Sequence, residues 1–139
     1  MVINVVEVLN VSGNRLKTCS GLGELQDLNA LVLNNNKIKS IRELVVLQNL
    51  NTLVVSHNEL EDLDGLEKMK DLKKLSASHN RISILPNTSI HQGWGLQLQE
   101  LRLAHNLFSV IPPCLKHCPA LKILDMGHNQ LFECKSVEP

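Results

Sequence analysis

Four histidines, His57, His79, His105 and His128, each stand one residue before an asparagine, at intervals that suggest a recurring unit. Two of them follow a serine, as Ser56-His57 and Ser78-His79, and a hydroxyl beside an imidazole is the starting material of nucleophilic catalysis. These pairs are adjacent along the chain rather than converging across space, however, and no acid is placed to orient either imidazole as a triad requires. Stacked on successive turns about 4.8 Å apart, the four rings would form a column able to take a metal or to sense pH, since charging neighbouring imidazoles is repulsive. The plainer reading is a turn residue that repeats because its unit repeats. Cys114, His117 and Cys118 supply a second set of ligand types, but they lack the paired C-x-x-C knuckles of a zinc site. No glycine loop of phosphate-cradling form is present. The chain is therefore read as non-enzymatic, with no catalytic residue, cofactor or metal assigned.

The elements that position these residues follow from composition. The chain has 139 residues, the length of one domain. Fourteen Lys plus Arg balance fourteen Asp plus Glu, which argues against nucleic acid as a partner because phosphate neutralisation needs a cationic surplus. Hydrophobic residues at 43% can build a core, while aromatics at 2% (Trp94, Phe108 and Phe132) exclude stacking platforms for bases, flavins or sugars. Twenty-six leucines and fourteen asparagines are far more than a mixed domain uses, and such an excess points to a repeat.

The pattern L-x-x-L-x-L-x-x-N-x-L aligns six times. It places Asn14, Asn36, Asn58, Asn80, Asn106 and Asn129 at one position, with spacings of 22, 22, 22, 26 and 23. In this the sequence resembles the leucine-rich repeat superfamily, over nearly the whole chain. The run Ile38, Ile41, Leu44, Leu47, Leu50, Leu53, Val55, Asn58 further resembles the 22-residue class named for a regulatory subunit of protein phosphatase 1. The fifth repeat, Phe108-Ser-Val-Ile111-Pro112-Pro-Cys-Leu115, resembles the longer typical class instead. The resemblance implies an α/β leucine-rich repeat solenoid, a right-handed superhelix with six short parallel strands on its concave face and helical turns and loops on its convex face.

The residues support that architecture on their own. Leu31-Val32-Leu33 alternates with period two, so Leu31 and Leu33 point one way and Ala30, Val32 and Asn34 the other. Ile38, Ile41, Leu44 and Leu47 recur every third position, as an extended return into helical turns would. Ser40 to Glu43 and Asp64 to Glu67 have capping-box spacing. Each unit buries one face only, so stacked neighbours supply the rest of its core. The six asparagines form a structural ladder: a primary amide carries donors and an acceptor, and so pairs the backbone groups left open where the chain leaves its strand.

Registering the repeats gives three outward columns. The first is Val8, Ala30, Thr52, Lys74, Glu100 and Ile123; the second is Asn10, Val32, Val54, Ser76, Arg102 and Asp125; the third is Ser12, Asn34, Ser56, Ser78, Ala104 and Gly127. The amino-terminal half offers a shallow apolar floor and the carboxy-terminal half offers charge. Lys74 with Glu100, and Arg102 with Asp125, are expected to pair across strands, and Lys37, Glu59 and Arg81 stack in alternating sign. The expected partner surface comprises Val8, Asn10, Ala30, Val32, Asn34, Thr52, Val54, Lys74, Ser76, Glu100, Arg102 and Asp125.

The longer spacing between Asn80 and Asn106 falls on Pro86 to Gly95, where Gly93 and Gly95 bracket Trp94 in a loop signature. Trp94 is read either as a plug for the widened convex side or as a partner anchor, given the enrichment of Trp at interfaces. Cys19, Cys118 and Cys134 fall at inward positions and read as small core residues. Without a basic leader, a long apolar run or a cysteine framework, the expectation is an intracellular protein of the cytoplasm or nucleus that inserts in no membrane. Asn87-Thr-Ser89, a glycosylation sequon, is then silent. The expectation for function is a single repeat domain over 1–139, read also as a segment of a larger protein, that acts as a non-catalytic scaffold for another protein and takes no small-molecule substrate. The alternatives are the recognition domain of a ligase, kinase or GTPase, or the regulatory subunit of a phosphatase.

Overall fold

A computed structural model describes residues 5–86 and 93–133. Six three-residue strands, β1 (Val8–Asn10), β2 (Ala30–Val32), β3 (Thr52–Val54), β4 (Lys74–Ser76), β5 (Glu100–Arg102) and β6 (Ile123–Asp125), form one parallel sheet in sequence order. Val8 pairs with Ala30, Ala30 with Thr52, Thr52 with Lys74, Lys74 with Glu100 and Glu100 with Ile123. The expected register therefore holds along the whole sheet. The units stack as a solenoid of in-register parallel strands, as expected.

Period-two alternation sends the middle residue of each strand inward. Leu31, Leu53, Leu75 and Leu101 are fully buried, and so are Ile38, Ile41, Leu44 and Leu50 on the return path. Burial of each such side chain contributes about 1.5–3 kcal/mol. At the two ends of the sheet the same position is less covered: Leu9 is half-buried and Leu124 is 40% exposed, where the described strands pack on one side.

The convex side is made of short 3₁₀ helices and turns. Among the described residues the helices are Leu22–Glu24, Arg42–Val46 and Pro113–His117, and the stretch from Glu61 to Asp71 has turns alone. Neither expected capping box forms. Ser40 Oγ accepts the N–H of Arg42, two residues on, and Ile41 is the residue at the helix start. The Glu67 carboxylate accepts the N–H of Gly65 at 2.9 Å, and no helix begins at Asp64. Three-residue apolar spacing suits tight turns, which end before a third-position cap can be used.

The asparagine ladder is present in detail. Nδ2 of Asn80 donates to the carbonyls of Val55, Ala77 and Ser78 at 3.1, 3.0 and 3.2 Å, while its Oδ1 accepts the N–H of Leu60 at 3.0 Å. One side chain thus ties its own turn to the preceding one. Asn36, Asn58, Asn106 and Asn129 repeat the arrangement. Asn14 departs from it: among the described residues its amide bonds Val11 O and Ser12 O of its own turn alone.

The residue before each ladder asparagine is left-handed, with φ of 72° at Gly13, 58° at Asn35, and 57°, 56°, 57° and 55° at His57, His79, His105 and His128. That conformation swings the chain out of the strand, and Gly, Asn and His are residue types that tolerate it. The turn reading of the histidines thereby gains its physical cause.

Trp94 is fully buried, and its Nε1–H donates to Pro86 O at 3.0 Å. The indole fills the lengthened turn from inside, which removes it as an exposed partner anchor. Cys19 and Cys118 are buried as well, whereas Cys134 and the 87–89 sequon lie outside the described residues.

Candidate interaction surface

Because the strands are in register, alternate side chains line up on the concave wall. Val8 is 66% exposed, and Ala30, Val32, Thr52 and Val54 are half-buried by one another while still facing outward. Val32 and Val54 are direct partners in the β2–β3 pairing, so the floor is continuous there.

The other half of the wall is a charge network centred on Glu100. Its Oε2 accepts from Arg102 Nε at 2.8 Å and lies 3.7 Å from Lys74 Nζ, and Arg102 Nη1 approaches Asp125 Oδ2 at 3.8 Å. The hydrogen bond from Arg102 holds the Glu100 carboxyl below the ordinary carboxylate range, helped by the charge of Lys74 and opposed by partial burial. Both cross-strand pairs read from the sequence are present. The shortest contact, Arg102 with Glu100 along one strand, was not anticipated, although their i, i+2 spacing on one face could have signalled it.

Polar residues toward the strand ends are engaged internally. Asn34 Oδ1 accepts Ser56 N–H at 2.8 Å, and Asn10 and Asp125 accept the N–H two residues on. Ser56 Oγ bonds the Ser76 hydroxyl at 3.1 Å and accepts Ser78 N–H at 3.1 Å. Ser56 is therefore buried, covered by its neighbours in the adjoining repeat. Lys37, Glu59 and Arg81 form no ion pair with one another among the described residues; the convex flank instead pairs Arg42 with Asp64 at 3.1 Å and with Asp62 at 3.8 Å. Side chains that align in register still diverge when they are long and solvated.

The four imidazoles stack, with centroids 4.1, 4.0 and 4.2 Å apart and planes 12°, 13° and 10° from parallel. Ring nitrogens bind metals in the ring plane, so face-to-face rings do not converge on one ion. Among the described residues no group of three or more His, Cys, Asp and Glu could hold a metal ion. Ser56 Oγ is engaged with the Ser76 hydroxyl and the Ser78 N–H rather than with His57, so the Ser56-His57 pair is not assembled for nucleophilic chemistry. Burial pushes the Cys19 thiol up to about 12 and Cys118 up to about 11, which leaves both protonated and unreactive. A convex depression of about 790 Å³, bordered by Ile84, Leu85, Phe108, Val110, Pro112 and Cys114, had no distinct signal in the sequence.

Residues 48–89 and 97–138, together more than half of the chain, match the family of leucine-rich repeats in two copies. The chain belongs to the leucine-rich repeat family. Residues before that match carry the same strand register and asparagine geometry, so the leucine-rich repeats continue into β1 and β2. Among solved structures, a leucine-rich repeat protein of Leptospira interrogans is similar at 33% identity over 91% of this chain, with a TM-score of 0.80. An internalin of Listeria monocytogenes is similar at 27% identity over 89%, with a TM-score of 0.75. The chain spans about a third of each, 32% and 34% respectively. No curated protein sequence matches it.

Proposed function

We propose that this leucine-rich repeat domain is a non-catalytic scaffold that holds another protein against its concave sheet. Repeat solenoids present extended concave binding surfaces, and one observation here carries the reading: Val32 and Val54 adjoin on the open wall with no covering element among the described residues. Apolar area on such a wall stabilises a complex by about 25 cal/mol per Å² when covered. The charged half contributes orientation more than affinity, since its four charges already satisfy one another. With a single buried Trp, the contact relies on shape and many modest contributions.

The 22-residue spacing of Asn14 to Asn80 supports a finer form of the proposal, a regulatory subunit for a phosphatase. Recognition domain of a larger ligase, kinase or GTPase is the competing form, and the coding sequence flanking this segment separates the two. Free Cys19, Cys114 and Cys118 accord with a reducing intracellular compartment, checked by counting thiols in protein isolated without reductant.

The shared claim is tested with Val32→Glu combined with Val54→Glu. Cross-linking in cells that express the parent should trap a specific protein, and the double variant should lose it while melting at the parent's temperature. A partner trapped equally by both would move the interface off this wall.

A further inference from the structure

The imidazole column carries more than its backbone requires. Its shared position demands a residue that accepts φ near 57°, and Gly13 and Asn35 meet that demand in the first two turns without an imidazole. From the third turn onward the position is histidine four times in succession, His57, His79, His105 and His128, all on exposed residues. Their rings stack at 4.0–4.2 Å. The backbone fixes that spacing, since His57 N–H donates to Ser78 O, His79 N–H to Ala104 O and His105 N–H to Gly127 O. While these ladder bonds last, the four side chains leave the backbone from adjacent points in register.

Neutral rings at this separation attract, whereas two protonated neighbours repel. The surroundings do not offset such charge. On the flank beyond the asparagines the column is bordered by Lys37, Glu59 and Arg81, then by Leu107 and Gln130. On the wall side it is bordered by Asn34, Ser56, Ser78, Ala104 and Gly127, and the nearest charges there, Arg102 and Asp125, are engaged with each other and with Glu100. Among the described residues no carboxylate lies within ion-pair distance of any of the four imidazoles. His79 is held below the ordinary histidine range by desolvation, then by its neighbours His57 and His105 and by His128.

We propose that the stack is an acid-sensitive clasp: uncharged, it holds the turn rim of the last four repeats together, and protonation of adjacent rings loosens that rim. A histidine held low in the folded chain binds fewer protons there than in the unfolded chain. Its stabilisation is therefore complete above the unfolded value of about 6.5 and is lost as pH falls through the folded value.

The experiment is a proton NMR titration of the imidazoles of the whole chain from neutral to acid pH, run beside thermal melts of the parent and of His79→Asn with His105→Asn. Asn35 already occupies this position at φ 58°, so asparagine fits the backbone. The His79 ring should titrate below an ordinary histidine, as desolvation and its stacked neighbours require. His105→Asn alone should raise the His79 midpoint, and the parent should lose thermal midpoint on acidification more steeply than the double variant. A His79 curve at the ordinary histidine position would overturn the clasp, and that measurement needs no variant to fold. Equal acid sensitivity in parent and double variant would overturn it as well.

Discussion

The two halves of the concave wall share one backbone and differ in what their side chains leave undone. β1 to β3 present Val8, Ala30, Val32, Thr52 and Val54, which have dispersion and burial still to gain. β4 to β6 present Lys74, Glu100, Arg102 and Asp125, which have largely spent their charge on one another. Parallel registration produces both outcomes. It aligns like with like into an apolar floor, and opposite with opposite into a closed network. An ordered charge cluster is therefore weaker evidence of a binding site than a plain pair of valines in the same sheet.

The strongest way to break the comparison is to disturb the stacking of turns that supports the wall. Gly65 lies between β3 and β4 with φ 121°, and a Cβ there would press into the backbone carbonyl of Ile41. Gly65→Ala should destabilise the chain by about 3 kcal/mol or more, through backbone overlap and a strained dihedral together. A chemical-denaturation curve coincident with the parent's would show that the turns have room to shift.

Next comes the ladder that holds both halves in register. Asn80→Ala leaves the carbonyls of Val55 and Ala77 and the N–H of Leu60 without their amide partner, at about 2–3 kcal/mol by the cost of buried unpaired groups. Asn58→Ala should act in the same direction. Asn14→Ala should cost about 1 kcal/mol or less, since that amide is exposed and bonds its own turn alone. Equal losses at Asn80 and Asn14 in parallel melts would refute the bridging role.

Binding sharpens the contrast directly. If the floor carries affinity, Val32→Glu with Val54→Glu should weaken partner retention at least about tenfold, while Lys74→Ala with Asp125→Ala should change it by less than about threefold. A reversed order, read by titration of the cross-linked partner once it is in hand, would transfer the site to the charged half.

The smallest effect is at Glu100. Its carboxyl should titrate below an ordinary glutamate, and Arg102→Gln should move it upward, as followed by carbon-detected NMR. A carboxyl held low in the folded state contributes stability above the unfolded value and loses it as pH falls through the folded one. Removing the arginine should accordingly flatten the acid limb of the stability profile slightly. No change in the Glu100 midpoint would show that the 2.8 Å contact does not persist in solution.

Much of this was legible before any coordinates. The strand register, the inward leucines and the asparagine ladder follow from an alternation and a spacing that are local to each unit. The valine floor and the cross-strand ion pairs follow from stacking those units in register. The convex side was less legible. Its turns are set by how tightly each return packs, so Ser40 caps Arg42 over two residues and no helix starts at Asp64. The burial of Ser56 depends on the Ser76 hydroxyl beneath it, a contact between residues twenty positions apart. For Trp94 the sequence favoured a plug and kept a partner anchor as the alternative; full burial and the N–H donated to Pro86 O decide for the plug.

Residue type at a repeating interval was enough to determine the solenoid, its six strands and which side chains share a column, because each of those depends on chemistry within one unit and on the identity of the next. Tertiary structure alone decided how the columns behave: which charges meet, which polar groups turn inward, and that four imidazoles stack at 4.0–4.2 Å. Those outcomes depend on distances between turns, and such distances arise only once the core has closed beneath them.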